Sequence, residues 1–180
     1  MTNDPKRGMR PEQPTITTAA GRRLVCYPAS VLAFIVDSYD RFLLFRRPGQ
    51  PGWEVFTGGL EPGDTVQNAI LRYVKEQAGP DFVAAYLAVL DTFTFIFDAN
   101  LPPSINICCL LRHRGGDLRP GKDLEEAEFR WWEVSDLDNI DLIVPRGRWD
   151  LLSRSVDMSR YLRDARVPEE EERGDYLEFS

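Results

Sequence analysis

Histidine and cysteine are nearly absent: one His (His113) and three Cys (Cys26, Cys108 and Cys109) in 180 residues. With no CxxC pair and a single imidazole, a zinc site has almost nothing to be built from. An odd cysteine count, with two neighbours pointing to opposite faces of a strand, argues against a disulfide framework; the three are expected to behave as small apolar residues. Basic charge is also short. Lys plus Arg number 22 against 29 acids, a net charge of −7, which argues against holding a nucleic-acid backbone. No run approaches the roughly 18 apolar residues of a membrane span. The N-terminus MTNDPKRGMRPEQPTITT has no apolar core of a secretory signal, so a cytoplasmic location is expected.

What is present fits one folded domain. Hydrophobic residues at 43% and charged residues at 28% suffice for a full core under a soluble surface. Residues 1–20 read as a flexible N-terminal segment, 21–165 as the domain, and 166–180, with its run PEEEERGDYLEFS, as a solvated acidic tail. Within the domain, strands are expected at 22–27, 29–37, 42–47, 53–56, 86–98, 105–114 and 129–134. Thr92 to Phe95 alternate strictly, as in a half-buried strand.

Two helices are expected. The first follows Asp64 or Thr65 as cap, carries Val66, Ala69, Ile70, Tyr73 and Val74 on one stripe, and stops at Gly79-Pro80. The second spans 146–163 with Trp149, Leu152, Val156 and Leu162 inward. With no repeat and no second core, the fold class is α+β.

The segment GGLEPGDTVQNAILRYVKEQAGP, residues 58–80, resembles a Nudix box, G-x5-E-x7-R-E-U-x-E-E-x-G-U, with U a bulky aliphatic residue. Asp64 falls at the first acidic position, Arg72 at the Arg, Val74 at the internal U, Glu76 at the first Glu of the pair and Gly79 at the closing Gly. The flanking FLLFRRPGQPGWEVFTGGLEPGD and EEAEFRWWEVSDL resemble the rest of that fold. The resemblance implies an α/β/α sandwich with a mixed, mainly antiparallel sheet and two main helices. It implies a divalent-metal-dependent hydrolase of a nucleoside diphosphate derivative, with Mg²⁺ or Mn²⁺ held by carboxylates, since such ions need hard oxygen ligands.

The box is degenerate. Tyr73 and Gln77 stand where two glutamates are usual, Thr57 where a proline often precedes the glycine pair, and Pro80 at the final U. On a helical wheel Tyr73 lies between Glu76 and Gln77, so one carboxylate, one amide and one phenol replace three carboxylates there. Glu76 is then the catalytic and metal-binding candidate, or merely the i,i+4 partner of Arg72. Asp64 is a helix cap or a second ligand, and Glu61 a turn former or a third. Gly58 and Gly59 are read as turn formers whose bareness admits a diphosphate. Arg46 or Arg47 is a substrate-binding candidate, one of the pair pointing to the cleft. Arg72 and Gly79 are structural members of the box.

Asp123, Glu125, Glu126 and Glu128 are candidates for a further ligand or general base from the acidic loop. Trp131 and Trp132 point to opposite faces, one in the core and one free to stack on a base; Phe93 and Phe95 are core. His113 is assigned nothing. The expected partner is a small nucleotide or diphosphate, with no nucleic acid or membrane and a homodimer left open. The competing class is a catalytically silent module that binds a nucleotide or a protein.

Overall fold

The computed structural model describes residues 14–96, 103–145 and 147–165. Strands β3 (Ala29–Val36) and β8 (Ser104–Gly115) run parallel at the centre of an eight-stranded sheet. Both read as near-continuous apolar runs because both faces of the sheet are covered. The order is β10 (Leu142–Val144), β5 (Trp53–Glu54), β4 (Phe42–Arg46), β3, β8, β7 (Val83–Phe95). Strand β6 (Phe56–Gly59) pairs with β3, and β9 (Glu128–Trp132) pairs with β4. Two pairings are parallel, β3 with β8 and β10 with β5; the others are antiparallel.

Alternation along these strands splits the core in two. Val31, Ala33, Ile35, Leu43, Phe45, Phe56, Cys109 and Leu111 pack under helix α1 (Val66–Ala78), which supplies Ala69, Ile70, Val74 and Ala78. Leu32, Phe34, Val36, Phe42, Leu44, Trp53, Cys108 and Leu110 face helix α2 (Trp149–Asp164), which supplies Leu151, Leu152 and Val156. The α/β/α sandwich and the mixed, mainly antiparallel sheet match the expectation. Burial pushes the Cys108 and Cys109 thiols up to about 12, so neither is a reactive thiolate.

Several local expectations need correction. Gly58 and Gly59 are not turn residues: they lie in β6, opposite Val31 and Ser30. The turn needs a glycine only at Gly63, with φ of 92°. Thr65, not Asp64, caps α1, its side chain accepting from Asn68 N–H. Strand β7 starts three residues before the expected 86, and its expected end at 98 lies outside the described residues. Helix α2 starts at Trp149, and that residue is 42% exposed instead of inward, because Leu151 and Leu152 take the core positions of the first turn.

Elements that were not expected include β1 (Thr15–Thr17), β10 and two 3-10 turns, at Lys122–Leu124 and at Val134–Asn139. Strand β1 lies inside the segment read as flexible and pairs with β2 (Arg23–Val25) in a separate hairpin, all six residues exposed. The acidic tail from residue 166 lies outside the described residues.

Gly79 and the loop behind it explain how α1 ends. Gly79 takes φ of 106°, and the backbone N–H groups of Arg119 and Gly121 donate to the carbonyls of Ala78 and Gln77. A Cβ at Gly79 would strike the Arg119 carbonyl, so the stop signal is also a close backbone approach.

Candidate active site

The loop from Gly59 to Thr65 and the first turns of α1 gather the box residues around one guanidinium. Arg72 Nη2 donates to Asp64 Oδ2 at 2.8 Å and Nη1 donates to Glu61 Oε1 at 3.3 Å; Glu76 Oε1 lies 3.9 Å away. Asp64 Oδ2 also accepts from Glu61 N–H, which closes the loop on itself. That backbone bond, then Arg72, holds the Asp64 carboxyl below the usual aspartate range. Contact with the Tyr73 side chain, ahead of Asp64 and Glu61, raises the Arg72 pKa further.

The sign of the Asp64 shift fixes a pH window. A depressed folded-state pKa gives a stabilisation complete above the ordinary value of 3.8 and lost as pH falls through the lower folded value. Amide exchange at Glu61 is therefore expected to accelerate only as pH falls through that value. Arg72→Met should shrink the step and leave the larger part, which the Glu61 N–H supplies.

The helical wheel grouped residues 73, 76 and 77 on one side, and the structure divides them. The Tyr73 ring lies against Gly58, where any Cβ would collide with it, and the Arg72 Cζ stands 4.5 Å from its centroid. Gln77 Nε2 donates to the Thr57 carbonyl at 2.7 Å. Both residues that replace glutamates are thus spent on packing the helix to β6. Glu76 instead turns outward, its side chain 55% exposed. Gly59 remains open: a Cβ there would meet nothing within 4 Å.

Arg46 and Arg47 point apart, as adjacent strand residues must. Arg46 pairs with Glu128 and covers the Trp53 ring at 5.0 Å. Arg47 reaches Glu54 at 3.5 Å and the Asp123 carbonyl at 3.4 Å. Glu128 is therefore the loop acid with a described basic partner, while the side chains of Asp123, Glu125 and Glu126 are exposed. Trp132 is core; Trp131 is half-buried between His113 at 5.2 Å and Arg41 at 5.9 Å, not bare for a base. His113 also stacks on Phe82 at 4.7 Å, a packing role. Phe93 and Phe95 are half-buried, with Arg148 over the Phe93 ring at 4.9 Å.

The family model for the NUDIX domain matches residues 27–152. The chain belongs to the Nudix family. It is 31% identical over 121 residues to the ADP-ribose pyrophosphatase of Methanocaldococcus jannaschii, covering 66% of this chain and 68% of that one. It is 28% identical over 152 residues to human 8-oxo-dGDP phosphatase NUDT18, covering 82% of this chain and 43% of that one. A third relative, the NAD-capped RNA hydrolase NudC of Vibrio atlanticus, is 26% identical over 147 residues, 81% of this chain and 50% of that one. The chain spans half or less of the last two relatives' length.

Among solved structures, a UDP-X diphosphatase superposes with TM-score 0.59 at 17% identity, covering 76% of this chain and 66% of that one. An ADP-ribose pyrophosphatase from Streptococcus suis superposes at 0.57 and 18% identity, covering 75% and 93%. At those identities the likeness is one of fold.

Whether the Nudix residues present here suit a divalent ion follows from their free oxygens. Among the described residues no three His, Cys, Asp or Glu side chains form a ready-made cation site. Asp64 is committed through Oδ2. Glu61 and Glu76, 65% and 55% exposed, each touch Arg72 through Oε1 alone, so each keeps a hard oxygen toward solvent. That donor set fits an ion brought in and shared by a diphosphate, which needs only one or two protein carboxylates.

Proposed function

We propose that this Nudix chain hydrolyses a nucleoside diphosphate derivative, with a divalent cation, Mg²⁺ or Mn²⁺, held by Glu76 with Glu61 and Asp64, and at reduced efficiency. The observation that supports it best is the convergence of these three carboxylates on Arg72, the first of them, Glu61, only two residues beyond the open Gly59 backbone. The relatives' named substrates, ADP-ribose, 8-oxo-dGDP and NAD-capped RNA, share a nucleotide diphosphate group.

When bound, the cation neutralises the diphosphate and lowers the pKa of a water. The chain's own residues do the rest. Arg72 holds Glu61 and Asp64 in place, while Gly59 leaves room for phosphate oxygens against the strand. A carboxylate oxygen that the cation leaves free accepts the proton of the attacking water; the new P–O bond forms as the bridging P–O bond breaks and its electrons leave on the departing phosphate. Arg46 or Arg47 is the basic side chain nearest in role to the substrate's remaining charge. Gly58 serves the site only through Tyr73.

The test is a panel of ADP-ribose, NADH, dinucleoside polyphosphates and oxidised dNTPs at high enzyme. Phosphate or nucleotide release is expected with Mn²⁺ above that with Mg²⁺. An intact panel overturns the hydrolytic reading.

A specific observation supports a second reading, a silent module that binds nucleotide or protein. Tyr73 and Gln77 are both fixed on β6, leaving the helix face against the strand without charge. Ligand stabilisation that persists in EDTA would favour it.

Two further parts belong to the proposal. A cytoplasmic site of action accords with a described chain in which no helix is long and apolar enough to cross a membrane. A homodimer is supported by the β1–β2 hairpin, too small to stand in water alone, with Ile16 56% and Val25 51% exposed. Light scattering should give twice 20.6 kDa; Ile16→Asp should return the monomer mass.

A further inference from the structure

A groove of about 470 Å³ opens on the α2 side of the sheet, the opposite layer from α1. It lies between the 3-10 turn Val134–Asn139 and the start of α2, lined by Leu137, Asp138, Ile140, Trp149, Asp150 and Ser153. Nothing in the proposed reaction uses it. Its size is that of a ligand or side-chain pocket, mostly apolar with a few polar groups.

Trp149 is fixed in an unusual way for an exposed aromatic. Its Nε1–H donates to the Ile140 carbonyl at 3.1 Å, so the indole has no donor left, yet 42% of the residue meets solvent. What it offers a ligand is a ring face, which attracts apolar groups and cations.

The chain segment that forms one wall is acidic. Glu133, Asp136, Asp138 and Asp141 stand within nine residues of it, Asp138 lining the groove, and among the described residues none of the four pairs with a Lys or Arg. Glu133 and Asp136 close the capping box of the 3-10 turn, and Glu133 Oε2 also accepts from Ser135 Oγ at 3.4 Å. Asp150 is different, since Arg148 at 2.9 Å and Arg154 at 3.7 Å already balance it. Among the described residues the unpaired carboxylates therefore lie along the 133–141 segment and extend beyond Asp138.

We propose that this groove docks a basic segment of a partner protein, with an arginine or lysine side chain over Trp149 beside Asp138 and further cations along residues 133–141. A row of separated carboxylates matches a chain of separated cations better than one small ion. A second copy docked groove to groove is disfavoured as occupant, because the two acidic 133–141 segments would meet with like charge, and the dimer proposed above uses the β1–β2 hairpin instead.

The experiment uses the full chain and an N-acetylated, C-amidated nonapeptide alternating arginine and leucine. A glutamate–leucine counterpart and free agmatine serve as comparisons, read by calorimetry and by the indole N–H signals in NMR. Trp149→Phe identifies the Trp149 signal. Saturable binding of the basic peptide is expected, with that signal shifting, affinity falling as salt rises, and about fivefold weaker binding in Trp149→Ala and in Asp138→Asn. Asp138 is exposed, so its variant keeps the test valid should Trp149→Ala fold poorly. Absence of a Trp149 shift at millimolar peptide overturns the proposal. So does binding untouched by Asp138→Asn, equal binding of the acidic peptide, or agmatine binding as tightly as the peptide.

Discussion

Replacing Tyr73 and Gln77 together by glutamate should raise metal-dependent hydrolysis of the best substrate in the panel by about 100-fold or more. Losing a single supporting group around a metal typically costs ~10–100-fold, and here two charges return at once. The geometry gives the reason. Residues 73 and 77 are the α1 positions turned to β6, where the Tyr73 ring now lies on Gly58 and Gln77 donates to the Thr57 carbonyl. Two carboxylates there would add hard oxygens to those of Glu76. The double variant gives up the ring contact, the 4.5 Å stack with Arg72 and one hydrogen bond, so its melting temperature should fall while turnover rises. Opposite movement of the two readouts separates gained chemistry from general stabilisation. Should turnover stay flat with the fold intact, the cleft itself has ceased to accept a diphosphate.

Glu76→Gln should lower the same activity about 100-fold in either background. Its structural cost is expected to be small. The side chain is 55% exposed and its contact with Arg72 is a 3.9 Å i,i+4 pair, worth about 0–1 kcal/mol. Arg72 keeps Glu61 and Asp64, so the loop stays closed. A large loss of turnover with an unchanged melting curve therefore marks Glu76 as acting in the reaction. An equally active variant would leave Glu76 as no more than the helix-surface partner of Arg72.

Much of the fold was readable before the structure. The apolar runs at 29–37 and 105–114 are what central strands covered on both faces require, and they are β3 and β8. Box spacing located α1 because a cap, a stripe and a stop signal agree within thirteen helical residues. The glycine pair misled, since bareness suits a turn or a close approach equally well. Gly58 is bare because Tyr73, fifteen positions away, needs its space.

Helical-wheel reasoning was limited in the same manner. It groups residues 73, 76 and 77 by angle, but the partner decides direction: Thr57 holds Gln77 and Arg72 draws Glu76 outward. Trp149 was placed inside by periodicity, and Ile140, beyond the reach of any local pattern, gives its N–H an outlet at the surface. Contacts of that kind depend on pairing across the fold. They are invisible to spacing alone.

Titrating Mn²⁺ into the full chain by paramagnetic resonance, with and without a non-cleavable methylene analogue of ADP-ribose, addresses the proposed site most directly. Tight binding is expected only when ion and analogue are both present, and it should vanish in Glu76→Gln. Analogue binding of equal strength in EDTA, indifferent to residue 76, would contradict a shared cation and leave a Nudix fold that holds its ligand without one.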